Sequence, residues 1–325
     1  MRKEDKKTNI RKEDKKMIKM ITYNLCWEAF SAVKKNIDMR KCLVNSKNMC
    51  INNISRIILD FSEEYDFMAF QEASEKSIER LEFPSSFTRR YSYEKETQNM
   101  NTIITYYDHN KYTVKKIIKG NLSLNIFKKR PFIGIIFDEK VILINVHFPH
   151  EDFKKIIKNL IKKFSGEEEF LDPEYNIILC GDFNHNVDIF YINKMMIKYG
   201  NKKKIFYENT KFFNTCCRPT SLKNKEYFGQ FDHIIQTFGK PIVYETLSDK
   251  KIESYTKDGF TYTSDHLPIY GEFINENLLG GINKEFYEKM IDNKIDKYSN
   301  IIEDHDNLLN KEILEKLKFY KKLIK

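Results

Sequence analysis

Short apolar runs, most of them closed by a polar residue, recur along most of this chain. Met17 to Asn24 alternates loosely and reads as a first strand. Ile51, Ile54, Ile57, Ile58 and Phe61 then fall at helical spacing, and Tyr65 to Phe70 follows as a second strand. Further strands are expected at Asn101 to Tyr107, Tyr112 to Lys119, Phe132 to Phe137, Val141 to Val146, Phe231 to Thr237 and Leu267 to Phe273. The run Ile177-Ile178-Leu179-Cys180 is continuous and bounded by Gly181, the signature of a buried strand ending in a turn. Phe153, Ile156, Ile157, Leu160, Ile161 and Phe164 form a stripe near period 3.6. Lysines occupy the other face, so packing on a core accounts for that helix. Residues 84–100 and 200–230 are expected to be loops between strands.

Strands with interspersed helices predict one α/β layered domain over residues 17–275. Two extensions flank it. Arg2 to Lys7 and Arg11 to Lys16 are the same charged hexapeptide, which cannot bury anything, so 1–16 is expected to be a disordered basic arm. Past Gly280-Gly281, apolar residues from Phe286 to Leu323 recur at loosely helical spacing amid dense charge. Residues 276–325 are therefore expected to form a helical C-terminal appendage that packs on the domain or binds a partner.

Composition narrows the class. A hydrophobic fraction of 41%, with 25 Phe and 19 Tyr among 325 residues, fills a sizeable globular core. No apolar run approaches the ~20 residues of a spanning helix, and the charged start shows no secretory leader. Six cysteines without metal spacing are expected to be free thiols, placing the protein in a reducing, intracellular compartment, the cytoplasm or nucleus. The net charge of +9 is uneven: residues 1–20 hold nine Lys/Arg against four Asp/Glu, and 276–325 are neutral. A mildly basic body with a basic arm favours a polyanionic partner such as nucleic acid or anionic lipid.

The chemistry lies where the strands stop. Asn24 ends the first strand; Gln71-Glu72 follow Phe67-Met68-Ala69-Phe70; His147 follows Ile144-Asn145-Val146. Asp182 and Asn184 follow the Ile177 run, Asp232 opens the next strand, and Asp265-His266 precede the last. One such residue alone is more often a satisfied structural group; six segments in series are not explained that way. Mg²⁺, or Mn²⁺ in its place, takes oxygen ligands and keeps several waters, so one or two carboxylates hold it. Glu72 and Asp265 are the candidates. Hydrolysis of a phosphodiester also needs a group to orient water and donors for developing charge. Asp182 suits the first role, and Asn184, His147 and His266 the second. Asp232 beside His266 would raise the imidazole pKa and keep it cationic near neutrality.

The series Asn24, Gln71-Glu72, Asn145-Val146-His147, Gly181-Asp182-Phe183-Asn184, Asp232, Ser264-Asp265-His266 resembles the endonuclease/exonuclease/phosphatase superfamily, over about residues 17–275. Each motif is weak alone; their order together is specific. The resemblance implies a four-layer α/β/β/α sandwich of two mixed β-sheets flanked by helices, and hydrolysis of a phosphate ester. It implies that Asn24, Glu72 and Asp265 are metal-side residues, that Asp182 orients or deprotonates the attacking water, and that Asn184 contacts phosphate. His266, oriented by Asp232, would bind the scissile phosphate; His147 falls at a catalytic His position, and Arg130 is similar to a phosphate-contacting arginine.

Two departures bear on the substrate. Several DNA-repair members have an acid two residues after the first-strand Asn, where this chain has Cys26. Inositol phosphatases carry a Trp-Cys-Asp-Arg run and a basic residue after Ser-Asp-His, where this chain has Gly229-Gln230-Phe231-Asp232-His233 and Leu267-Pro268. The favoured expectation is a Mg²⁺-dependent nuclease on DNA or RNA. The alternatives are a phosphatase or phospholipase on an inositol- or sphingolipid headgroup, and a catalytically inactive binding module.

Overall fold

Side chains alternate across a β-strand, and in this protein that alternation sorts the chain into two sheets and three cores. The computed structural model describes residues 17–26, 49–62, 64–73, 78–81, 83–98, 101–124, 129–200, 204–207, 211–216, 229–239, 241–257, 260–261 and 263–274. The expected arm (1–16) and appendage (276–325) lie outside these residues.

Six strands make the first sheet: β1 (Met17–Asn24), β2 (Phe67–Gln71), β3 (Tyr91–Gln98), β4 (Asn101–Asp108), β10 (Val243–Glu245) and β13 (Ile269–Ile274), in the order β10-β13-β1-β2-β4-β3. Five make the second: β5 (Val114–Asn121), β6 (Pro131–Phe137), β7 (Val141–His147), β8 (Asn176–Asp182) and β9 (Asp232–Gln236), in chain order. Each sheet has a parallel pair, β1 with β2 and β7 with β8, and is otherwise antiparallel. A two-residue ladder, β11 (Thr256–Lys257) with β12 (Phe260–Thr261), stands apart.

The inner faces meet in a core of Ile18, Met20, Phe67, Ala69 and Ile103 against Ile133, Ile135, Leu143, Ile178, Cys180 and Ile234. Outside the first sheet, Ile21, Tyr23, Met68 and Phe70 pack on Ile51, Ile54, Ile57 and Ile58 of helix α1 (Met49–Phe61). Outside the second, Ile142, Ile144, Ile177 and Leu179 pack on α2 (Phe153–Phe164) and α3 (Ile189–Tyr199). Helix, sheet, sheet, helix: this is the expected four-layer sandwich.

The polar strand ends continue the inner rows. On β1 the row runs Ile18, Met20, Thr22, Asn24; on β2, Phe67, Ala69, Gln71; on β7, Leu143, Asn145, His147; on β8, Ile178, Cys180, Asp182; on β9, Ile234, Asp232. Register aligns them, pairing Asn24 with Gln71, His147 with Asp182 and Asp182 with Asp232. One end of the gap between the sheets is thus lined with polar groups. Just inside it a neutral clasp joins the sheets: Gln71 Nε2 donates to Asn145 Oδ1 (2.8 Å), and Asn145 Nδ2 donates to the Ile104 carbonyl (3.2 Å) and Thr105 Oγ1 (3.0 Å).

Several expectations need correction. Residues 84–98 are not an open loop: they contain a helical turn, Ser85–Thr88, and β3, an edge strand hairpinned to β4. Its sequence, Tyr-Ser-Tyr-Glu-Lys-Glu-Thr-Gln, is too polar to announce a strand, because its outward positions face solvent and charge suits an edge. Helix α3 was not anticipated, although Ile189, Ile192, Met195 and Met196 are buried at helical spacing and Asp188 accepts from Tyr191 N (2.9 Å) as N-cap. Strands expected at Tyr65, Tyr112, Phe231 and Leu267 begin one or two residues later, since β-pairing rather than apolarity sets their ends. Cys26 and Cys180 are buried and not in disulfides, but Cys50 and Cys216 are disulfide-bonded. The expectation of free thiols fails there because a disulfide depends on spatial proximity that spacing does not reveal. Among the described residues no helix is long and apolar enough to cross a membrane.

Asn145→Ala is expected to lower stability by about 2–4 kcal/mol, since it strands the buried donor of Gln71 and the partners on β4. The urea midpoint should fall with the far-UV spectrum unchanged; an unshifted midpoint would show that the clasp contributes nothing.

Candidate active site

Three of the inner rows end in a left-handed residue: Cys26 (φ 55°) just past β1, Glu72 (φ 49°) after β2 and Asn184 (φ 51°) after β8. Such conformations cost about 1–3 kcal/mol in a non-glycine residue and collect at functional sites. Gly181, at φ 131°, is a position only glycine fills, because a Cβ there would lie 2.0 Å from the Val146 carbonyl oxygen. These turns leave the row-ending side chains in the mouth between the sheets.

Asp182 is the meeting point. Its Oδ2 accepts from Asn24 Nδ2 (2.9 Å), across the sandwich, and lies 3.5 Å from His147 Nε2 and 3.9 Å from His266 Nε2. Its Oδ1 accepts the Asn184 backbone N–H (2.8 Å). The carboxyl is 1% exposed. Burial pushes it upward, His266 pulls it down, and Asp232 raises it further, for a net upward shift.

The two imidazoles beside it are held in opposite states. His147 Nδ1 faces Arg130 Nη1 at 3.3 Å; a guanidinium only donates, so Nδ1 accepts and the proton sits on Nε2, toward Asp182 and Glu72 (3.8 Å). Burial and then the Arg130 charge hold its pKa well below the usual value, so His147 is neutral. Arg130 in turn donates to Asn101 Oδ1 (2.6 Å). His266 Nδ1 pairs with Asp232 Oδ2 at 2.8 Å. Burial alone would lower this imidazole, but Asp232 and Asp182 outweigh it and hold its pKa well above the usual value. His266 is cationic at neutral pH.

Backbone anchors fix these groups. Ser264 Oγ donates to the Asn24 carbonyl (2.6 Å) and accepts the His266 N–H (3.1 Å), tying the last motif to the first strand. Thr215 Oγ1 accepts the Asp232 N–H (3.0 Å), and Cys216 Sγ lies 3.3 Å from His266 Nε2. The sequence reading gave no role to Ser264, Thr215, Cys216, Gln71, Asn145 or Asn101. Ser264, Gln71 and Asn145 stood inside quoted motifs, whereas Thr215, Cys216 and Asn101 carried no signal.

All nine expected site residues belong to this end of the molecule, but not equally. Asn24, His147, Asp182, Asp232 and His266 form one contact network, with Glu72 and Arg130 on its His147 side. Asn184 gives its side-chain N–H to the Phe148 carbonyl (2.8 Å), leaving Oδ1 as its unengaged atom among the described residues. Asp265 is partly exposed and bears on Glu72 through charge: burial, then Asp265, pushes the Glu72 carboxyl up to about 7. His185 and His233 turn away, toward the carbonyls of Pro149 (3.2 Å) and Gln230 (2.7 Å).

Two groups bear on metal binding. Asp182, Asp232 and His266 place ligand-type atoms within 4.8 Å of one another. His266 is paired with Asp232 Oδ2 (2.8 Å) and lies near Asp182 Oδ2 (3.9 Å), so an ion here would compete with that ion pair. Glu72 and Asp265 are a second candidate for holding a hard cation. The charges of Asp265 and then Asp182 raise the Glu72 carboxyl, against the pull of His266, and a divalent ion would offset that negative charge. Asp232 Oδ1, buried without a hydrogen-bond partner, is a second unmet acceptor.

The sandwich has the fold of solved endonuclease/exonuclease/phosphatase structures, the deoxyribonuclease I-like fold. An endonuclease/exonuclease/phosphatase from Bacteroides vulgatus superposes with a TM-score of 0.55 at 14% identity, covering 79% of this chain and 98% of that one. ANGEL2, described as a 2′,3′-cyclic phosphatase and solved with adenosine-2′,3′-vanadate, also gives 0.55, at 13% identity over 80% of this chain and 96% of its own. TDP2 from D. rerio, solved with a single-strand DNA product, gives 0.52 at 11% identity over 79% and 98%. In sequence, the chain is 28% identical over 296 residues to uncharacterized protein L684 of Acanthamoeba polyphaga mimivirus, covering 83% of this chain. It spans about half the length of that curated relative (54%). No family model matches the sequence.

The charge pairing is testable in the metal-free protein. In an NMR titration the His266 imidazole should stay protonated well past pH 6.5, and Asp232→Asn should shift its midpoint downward. The sign follows from linkage: the raised pKa stabilises the fold fully below about pH 6.5 and is lost as pH climbs through the folded value. An unmoved midpoint in the variant would refute the pairing.

Proposed function

We propose that this chain is a divalent-metal-dependent phosphodiesterase whose substrate is nucleic acid. The observation that carries the reading is Asp182 between two imidazoles of opposite protonation. When neighbouring titratable groups have their pKa values driven apart, acid and base roles are assigned by environment. Asp182, raised toward neutrality, accepts a proton from water or orients it. His266, cationic and held by Asp232, donates to a non-bridging phosphate oxygen and meets the charge that develops there. His147 presents Nε2–H to the same space, with Arg130 behind it fixing the tautomer and adding positive potential.

Glu72 and Asp265, with Asn24 beside them, would hold Mg²⁺ or Mn²⁺. A bound ion of this type neutralises phosphate charge and stabilises the leaving oxygen. Everything else asked of the site is hydrogen bonding and charge from side chains already locked by their neighbours.

Support for nucleic acid comes from three directions. The chain carries a net charge of +9. A TDP2 relative in fold was solved with a single-strand DNA product, and ANGEL2 with an adenosine-2′,3′-vanadate.

Purified protein should cleave labelled single- or double-stranded DNA or RNA with added Mg²⁺ and stop in chelator. Asp182→Ala and His266→Ala should each lower the rate by about 10²–10⁴-fold, the usual weight of a positioned proton-transfer group. Turnover of phosphoinositide or sphingomyelin instead would move the reading to a lipid headgroup. Variants as active as the parent on every substrate would end the hydrolase reading. Where activity exists, its pH profile should be bell-shaped: the acid limb reports Asp182 losing its proton, and the alkaline limb His266 losing its own. Asp232→Asn should pull the alkaline limb to lower pH.

A further inference from the structure

Away from the inner mouth, the helical layer over the second sheet carries a concentration of positive charge that the hydrolytic reading does not use. Helix α2 has lysines at 154, 155, 158, 162 and 163 and no carboxylate within it. Helix α3, packed beside it, adds Lys194 and Lys198, also without an acid. Of the nearby acids, Asp152 and Asp188 cap the two helices and Glu167 and Glu169 pair with Lys116 and Lys115 of β5, while Glu168 is exposed past the end of α2.

The lysines are ordered rather than scattered. Lys154, Lys158 and Lys162 succeed one another four residues apart, about 6 Å along the helix axis, on the side facing α3. Lys154 Nζ stands 5.6 Å from the Tyr191 ring centroid; Lys162 and Lys198 stand 5.1 and 5.2 Å from Tyr199. Partial desolvation would raise the Tyr199 phenol, yet Lys198, Lys158 and Lys162 together hold it below its ordinary value, so their charges converge on one spot. The result is a groove between two helices, walled by lysine and floored by two tyrosines.

Its position is as telling as its charge. Helices α2 and α3 begin just after β7 and β8, the strands that deliver His147 and Asp182. At the top of the groove the Phe153 ring packs 5.8 Å from His185, the residue after Asn184.

We propose that the α2–α3 groove is a secondary binding track for the sugar-phosphate backbone of a single nucleic-acid strand whose scissile phosphate lies at Asp182 and His266. The inference rests on the phosphodiesterase reading for the substrate's other end and on charge complementarity for this one. Lysines along a groove with aromatic rings in it match the electrostatic and stacking needs of a single strand. A membrane surface is the poorer match. A helix that docks on lipid inserts an apolar face, and here Ile156, Ile157, Leu160, Ile161 and Phe164 are buried against the sheet. None of the exposed large hydrophobic residues among those described lies on α2 or α3.

The test uses the full chain and a Lys158→Glu/Lys162→Glu/Lys198→Glu variant. Anisotropy with a fluorescent 20-mer of single-stranded DNA or RNA, across a salt series, should show at least tenfold weaker binding. The log–log salt slope should shrink by about two, the share of three phosphate contacts on a single strand. Hydrolysis of bis(p-nitrophenyl) phosphate, too short to reach the groove, should not change. The Lys→Gln version of the same triple keeps side-chain bulk and must show the same loss of slope, which separates charge from any folding defect. Unchanged affinity and slope in both variants overturn the track, as does loss of binding to phosphatidylserine vesicles with oligonucleotide binding intact. If the parent chain hydrolyses no phosphodiester yet binds the 20-mer through these lysines, the hydrolase reading fails and the track stands.

Discussion

The hydrogen bond from Asn24 to Asp182 crosses between the two sheets, and the site depends on it. It exists because β-strands have a side-chain period of two and the sheets face one another across about 10 Å. Each inner row is apolar for most of its length and polar at the same end. Slipping any of these strands by one residue would turn its polar end outward and an outer-row residue into the mouth. The apolar part of each row therefore sets where its last residue points, and core packing becomes active-site geometry.

That geometry creates two different electrostatic environments a few ångströms apart. His147 is backed by a cation and His266 by an anion, so burial acts on both while the neighbour decides the outcome. Asp182 lies between them and inherits a raised pKa from the same burial. Left-handed turns at Glu72 and Asn184 cost the backbone something, and the strand ladders and inter-sheet clasp hold them in place. The clasp of Gln71 and Asn145 is suited to this work because it is neutral: it joins the sheets beside the charges without adding to them.

Much of this was legible in the sequence. The strand-ending residues Asn24, Glu72, His147, Asp182 and Asp232 announced themselves because apolar runs stop at them, and a buried run needs a reason to stop. Asp265 and His266 were read the same way from the strand that follows them. What escaped notice had a physical cause in each case. The edge strand β3 is half solvated and so lacks an apolar run. Helix α3 is short, and its apolar spacing was masked by aromatic and polar neighbours. Thr215 and Cys216 reach the site from a coil, where no periodicity marks a residue. The pairing of Cys50 and Cys216 in disulfides depends on contacts that composition does not encode.

Ser264 bonds the Asn24 carbonyl from 240 positions further along the chain, and His266 completes the site from 242 positions away. During synthesis the early strands emerge first, at about 5–20 residues per second, while the imidazole that balances Asp182 has yet to be made. Over that interval the nascent domain holds its carboxylates without their cation. Among the members of this charge network His266 is the last in chain order, beside β13 where it pairs with β1, so the proposed site is completed only as the two ends of the domain meet.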